Sequence, residues 1–117
     1  MANYTKLPLS GSVTGKQILI SGTTSASATP IHTAIAGTDA LDEVWIYAYN
    51  EAATNMSCSI LWGGTTEPAD VNRITITPQS GRILIVDGKL LQNGLQIKAY
   101  ASNSSSVVID GFVNRIT

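Results

Sequence analysis

Few side chains in this sequence could do chemistry, and their spacing brings none of them together. The chain has one histidine, His32, and one cysteine, Cys58. Metal sites need grouped His, Cys, Asp or Glu, and two isolated residues give no ligand spacing. Asp39, Asp42 and Glu43 lie close in sequence. They could hold a calcium ion, but they read more simply as solvated loop carboxylates where a strand begins. A Ser-His-Asp triad can be assembled on paper from His32, yet no nucleophile elbow accompanies it. Glu43, Glu51, Glu67 and Asp110 are scattered and define no carboxylate pair for glycoside cleavage. Gly63-Gly64-Thr65-Thr66 lacks the lysine and the following helix of a phosphate loop, and serves as a tight strand exit after Trp62. Cys58 alternates with Met56, Ile60 and Trp62 on one face of a predicted strand, as a small buried hydrophobe does. A single cysteine forms no internal disulfide. The expectation is a protein that is not an enzyme and uses no cofactor or metal.

The remaining candidates are aromatic. Residues 42–50 form a strand with two apolar faces, because strand side chains alternate sides. Val44, Ile46 and Ala48 share one face; Trp45, Tyr47 and Tyr49 share the other. A small two-layer domain buries one face of most strands, so something must cover the second. A second sheet, a long loop or another protein would do so. Packing of the aromatics on a second sheet is the first expectation; a protein-binding hot spot or a sugar-stacking platform are the functional alternatives.

The elements that must position these residues follow a period of two. Strands are expected near 17–21, 31–35, 43–50, 56–62, 73–77, 82–87, 95–101 and 107–116. The strands at 43–50 and 56–62 are expected to pair as a hairpin, and Asn93-Gly94 is the strongest short hairpin signal. Gly88 and Lys89 are expected to turn the chain, and residues 69–72 to make one helical turn. Leu84 and Val86 should share a face opposite Ile83 and Ile85. About eight short strands at even spacing imply an all-β protein, an antiparallel β-sandwich or jelly-roll-like barrel.

Composition sets the outer limits. The chain has 117 residues, the length of a single domain spanning 1–117. Its net charge is −1, and 13% of residues are charged, about half the usual share. No basic patch suggests nucleic acid. Ser and Thr supply 25 residues, so solubility rests on hydroxyls and amides. Met1 to Lys6 are too polar for a secretory h-region. The longest apolar run, Ile83 to Val86, is too short to cross a bilayer. Synthesis in a cytoplasm with no membrane partner is the expectation.

Four strings carry a resemblance. They are Asp42-Glu43-Val44-Trp45-Ile46-Tyr47-Ala48-Tyr49-Asn50; Ile60-Leu61-Trp62-Gly63-Gly64-Thr65-Thr66; Ser80-Gly81-Arg82-Ile83-Leu84-Ile85-Val86 with Asn93-Gly94-Leu95; and Asp110-Gly111-Phe112-Val113-Asn114-Arg115-Ile116-Thr117. Together they resemble small virion proteins of tailed bacteriophages, of the kind that decorate or cement the head. The resemblance covers most of the chain from residue 42 onward. It implies an all-β protein on the capsid surface of the virion, bound to an assembled shell of major capsid protein, often as a homotrimer. It transfers no site residues.

On that reading Trp45, Tyr47, Tyr49, Leu84 and Val86 lie in the core or in a subunit contact. Residues 1–12 form an extended arm reaching a neighbour or the shell, with Tyr4, Lys6, Leu7 and Leu9 as capsid-contact candidates. Pro8 and Gly11 suit an extended path outside any sheet. The alternative is a carbohydrate-binding or receptor-binding β-sandwich module of a virion fibre or tail, which needs exposed aromatics.

Overall fold

Alternating burial is clearest in the strand Leu41–Asn50, where every second residue from Asp42 to Asn50 is buried and those between are half-buried. The computed structural model describes residues 3–79 and 81–117. Nine strands appear among them: β1 (Tyr4–Pro8), β2 (Ile18–Leu19), β3 (Thr29–Thr33), β4 (Leu41–Asn50), β5 (Met56–Trp62), β6 (Val71–Ile76), β7 (Ile83–Leu91), β8 (Gln96–Ala101) and β9 (Val107–Ile116). One sheet has the order β1-β9-β4-β7, with β2 also on β9; the other is β3-β8-β5-β6. All pairings are antiparallel. If β1 and β2 share one position, the eight positions divide four and four between the two sheets, consecutive strands changing sheet except β5 and β6, in the order of a jelly roll. No helix among the described residues is long and apolar enough to cross a membrane.

The core lies between the sheets. Val44, Ile46 and Ala48 of β4 and Val107, Ile109 and Val113 of β9 come from the first sheet. Cys58 and Ile60 of β5 and Ile97 and Ala99 of β8 come from the second, and all are essentially fully buried. The aliphatic face of β4 therefore packs on the second sheet, not the aromatic face. Compact branched side chains interdigitate in the gap of about 10 Å between sheets, while Trp and Tyr carry polar ends that favour a wet boundary.

Several sequence expectations need correction. β4 and β5 do not form a hairpin, because they belong to opposite sheets. The chain crosses between them at a fully buried Asn50, whose amide donates to the Thr54 and Ile76 carbonyls and accepts from the Ala52 N–H. Asn93 and Gly94 both have positive φ, 64° and 68°, as a tight turn requires, but their turn joins β7 to β8 across the sandwich. Residues 69–72 hold no helix; β6 begins at Val71.

Gly88 and Lys89 do not turn the chain either. They lie inside β7, where Val44 pairs with Lys89 and Trp45 with Asp87. Gly88 is the extra residue of a bulge, at φ 77°, a left-handed conformation that suits glycine. A second irregularity pairs Ile46 with Val86 and Tyr47 with Leu84, leaving Ile85 over. It sends Leu84 and Val86 to opposite faces. Val86 joins the core, while Leu84 is 42% exposed on the outer face; Ile83 and Ile85 pack on the core margin.

The expected arm also lies elsewhere. Tyr4 to Pro8 run along β9 of the chain's own sheet, from Tyr4 opposite Ile116 to Pro8 opposite Phe112. Leu7 sits half-buried on the inward side opposite Val113, and Leu9 is 1% exposed in the core, so neither points to the outer face. Gly11 passes close to the β3 backbone: its N–H donates to the Ile31 carbonyl, and a Cβ there would lie 2.6 Å from that oxygen. Met1 and Ala2 fall outside the described residues. β9 is docked between β1 and β4, as its apolar content requires.

Candidate functional site

The outer face of the β1-β9-β4-β7 sheet collects the aromatic candidates, and no strand or helix among the described residues pairs or packs across it. Antiparallel register sets its rows. Tyr4, Ile116 and Leu41 form one; Lys6, Asn114, Glu43 and Leu90 the next; then Pro8, Phe112, Trp45 and Asp87; then Asp110, Tyr47 and Leu84; and last Leu19, Val108 and Tyr49. Tyr4, Leu19, Leu84 and Leu90 are the exposed large apolar groups here.

Side chains in these rows order one another. The Trp45 ring stacks on Phe112 with centroids 6.0 Å apart and planes 11° apart, within the range of favourable offset stacking. Gly88 makes room for the indole, since a Cβ at 88 would lie 3.0 Å from Trp45. Glu43 accepts from the indole N–H at 2.9 Å and from the Asn114 amide at 3.1 Å. These two donors hold the Glu43 carboxyl below the usual carboxylate range, the indole first. Lys6 Nζ sits 4.4 Å from the Phe112 centroid, and Arg82 Cζ 3.5 Å from that of Tyr47. Both are cation–π distances. Arg82 Nε also donates to both Asp110 oxygens, at 2.7 and 2.9 Å.

Of the sequence candidates, Trp45, Tyr47, Tyr49, Leu84, Tyr4 and Lys6 fall on this one face, while Val86, Leu7 and Leu9 turn inward. Sequence reasoning missed Phe112, Arg82, Asp110 and Glu43 as members. The alternation of Val108, Asp110, Phe112 and Asn114 against Val107, Ile109 and Val113 was the available signal.

A second cluster lies at one end of the core. Asp42 has no exposed surface. Its carboxylate accepts from Arg115 Nε at 2.8 Å and Nη2 at 3.0 Å, from His32 Nε2 at 2.8 Å and from the Ile35 N–H at 3.1 Å. Burial opposes ionisation of Asp42, but the Arg115 and then the His32 hydrogen bonds outweigh it and hold the carboxyl below its ordinary value. The same contact raises Arg115. The reading of Asp42 as a solvated loop carboxylate is thereby corrected. Adjacent strand residues point to opposite sides, so Asp42 goes inward while Glu43 goes outward. Among the described residues no three His, Cys, Asp or Glu side chains form a metal-holding group. His32 Nδ1 accepts from the Ser10 N–H at 3.0 Å, so in this arrangement the imidazole has no lone pair left to activate a nucleophile.

On the outer face of the second sheet, Arg73 donates to Ser59 Oγ and to the Tyr100 hydroxyl, which donates to Glu67. This chain pins the 63–70 connection to the sheet. A shallow depression of about 260 Å³ lies beside it, between the Gly63–Thr65 and Gly94–Gln96 turns, with Lys98 the sole charged group lining it.

Cys58 is fully buried, and burial pushes its thiol up to about 12. Since the thiolate is the reactive form, native Cys58 should react with a disulfide reagent about a thousandfold more slowly than the unfolded chain. Rapid stoichiometric labelling without denaturant would contradict this.

No protein-family model matches the chain, and no curated protein is significantly similar to it in sequence.

Proposed function

We propose that this protein is a structural accessory subunit of a phage capsid, a decoration or cement protein that binds the assembled major capsid protein shell as a homotrimer. One observation supports a protein-binding role: no strand or helix among the described residues packs across the aromatic outer face of the first sheet. It offers Trp45, Tyr47 and Arg82 side by side, the residue types that dominate binding energy at protein interfaces. The likeness to head-decoration proteins supplies the capsid shell as the partner. A subunit that binds the lattice and not free capsid protein stabilises the shell by mass action.

The carbohydrate reading needs bare ring faces. Lys6 and Arg82 already lie over Phe112 and Tyr47, and a sugar would have to displace them. That geometry favours protein over glycan as the occupant.

The test is solution mass by light scattering, on wild type and Tyr47→Glu. The wild type should be a stable trimer. Tyr47→Glu should weaken association by about 30-fold or more, with an unchanged far-UV spectrum. A wild-type monomer at all concentrations would remove the homotrimer. Glycan binding lost in a folded Trp45→Ala variant would replace the proposal with the carbohydrate reading.

A further inference from the structure

The hydrogen bonds around His32 allow one protonation state of the ring, and that state clasps the N-terminal strand. The Ser10 N–H points at Nδ1, so Nδ1 must carry a lone pair. Nε2 faces an Asp42 oxygen, so Nε2 carries the proton. The ring is 3% exposed, leaving little room for water to rescue a lost partner.

We infer that His32 is an acid-sensitive latch: protonation of Nδ1 ejects Ser10 and releases β1 from the edge of β9. An imidazolium donates from both nitrogens. Its Nδ1–H would oppose the Ser10 N–H, two donors with no acceptor between them. Charged groups face the ring from two strands, Asp42 of β4 and, through Asp42, Arg115 of β9. The opposing residue of β8 is Ile97, and the 9–12 segment brings no charge. Asp42 is already matched by Arg115 and the Ile35 amide, so a second cation gains less there than a carboxylate would otherwise give. Acidification thus removes the Ser10 contact without replacing it.

The strand it holds lies at the edge of its sheet, paired to β9 through five residues, with two further backbone hydrogen bonds between Asn3 and Thr117. Tyr4, Thr5, Lys6 and Pro8 are all exposed, and Leu9 is the first fully buried anchor. Beyond the His32 contact, Ser10 Oγ accepts from the Thr33 N–H at 2.6 Å, and the Gly11 N–H reaches Ile31. Both belong to the segment that must shift when Ser10 moves. Departure of β1 would lift Lys6 from Phe112 and bare the β9 edge, so acid would also remodel one margin of the aromatic face. The latch itself does not depend on what that face binds.

Hydrogen exchange read by mass spectrometry along an acidifying pH series, corrected for intrinsic rates, tests this. Residues 3–12 should lose protection by about tenfold or more at the acid end, while β4 and β5 keep theirs. His32→Gln should show the same protection at both ends. Unchanged wild-type protection, loss shared with β4 and β5, or an equal loss in His32→Gln would each overturn the latch. Should His32→Gln not fold, ¹⁵N spectra of the single imidazole decide in the wild type. Release that tracks protonation of Nδ1 supports the latch, and release at any other pH removes it.

Discussion

Asp42→Ala should destabilise the protein by about 3–5 kcal/mol, the usual loss when one partner of a buried ion pair is deleted. The carboxylate is fully buried and serves four donor groups. Alanine would leave the Ile35 N–H and His32 Nε2–H without acceptors. Arg115, whose side chain is 29% exposed, can turn toward water, which places the loss nearer the lower end of the range. For a domain whose whole stability is about 5–15 kcal/mol, the melting temperature should drop by about 10 °C or more. Thermal and urea denaturation followed by circular dichroism would measure it, and a loss below about 1 kcal/mol would refute it. The pH dependence has a definite sign. Asp42 is held below its unfolded value in the fold, so its contribution is fully present above the unfolded carboxyl range and is lost as pH falls through the lower folded value. The gap between wild type and Asp42→Ala should therefore close only in strong acid.

Gly111→Val should abolish folding. Gly111 lies on β9 opposite Ile46 of β4, the two central strands of the first sheet. A Cβ there would overlap the Trp45 carbonyl oxygen and lie 3.0 Å from its carbon and 3.1 Å from Ile46 Cα. These are backbone atoms, so no side chain can rotate away, and relief requires parting the strands. The variant should give no cooperative unfolding transition. Gly37→Ala is the control: its φ is 78° and nothing lies within 4 Å of an added Cβ, so only the left-handed strain of about 1–2 kcal/mol applies. A Gly111→Val protein that melts like wild type would show that β9 and β4 are not so closely apposed.

The sequence made the strands legible because period-two patterning is local. The two apolar faces of β4 could be read directly from Val44, Ile46, Ala48 and Trp45, Tyr47, Tyr49. Which face met the second sheet could not, because that choice depends on strands far away in the chain. The split between Leu84 and Val86 was hidden by an extra residue, Ile85, which reverses alternation without any compositional mark. Asn93-Gly94 correctly signalled a tight turn, but turn chemistry does not say whether the flanking strands share a sheet. Asp42 looked like a surface carboxylate beside Asp39 and Glu43. Its partners, His32 and Arg115, are ten and 73 residues away, beyond any local pattern. Tyr4 and Lys6 lie on the outer face, and Leu7 and Leu9 gave no sign of the edge pairing that turns them inward.

Among the described strands, only β5 and β6 are sequence neighbours that also pair within a sheet. Every other pairing closes a long loop, up to Tyr4 against Ile116. Chain entropy must be lost before most ladders can form, so the transition state cannot be assembled from successive hairpins. Chains dominated by such distant pairings fold in about milliseconds to seconds. During that interval the apolar strands of the first sheet are unpaired on both edges, and Trp45, Tyr47 and Phe112 are open to premature aggregation.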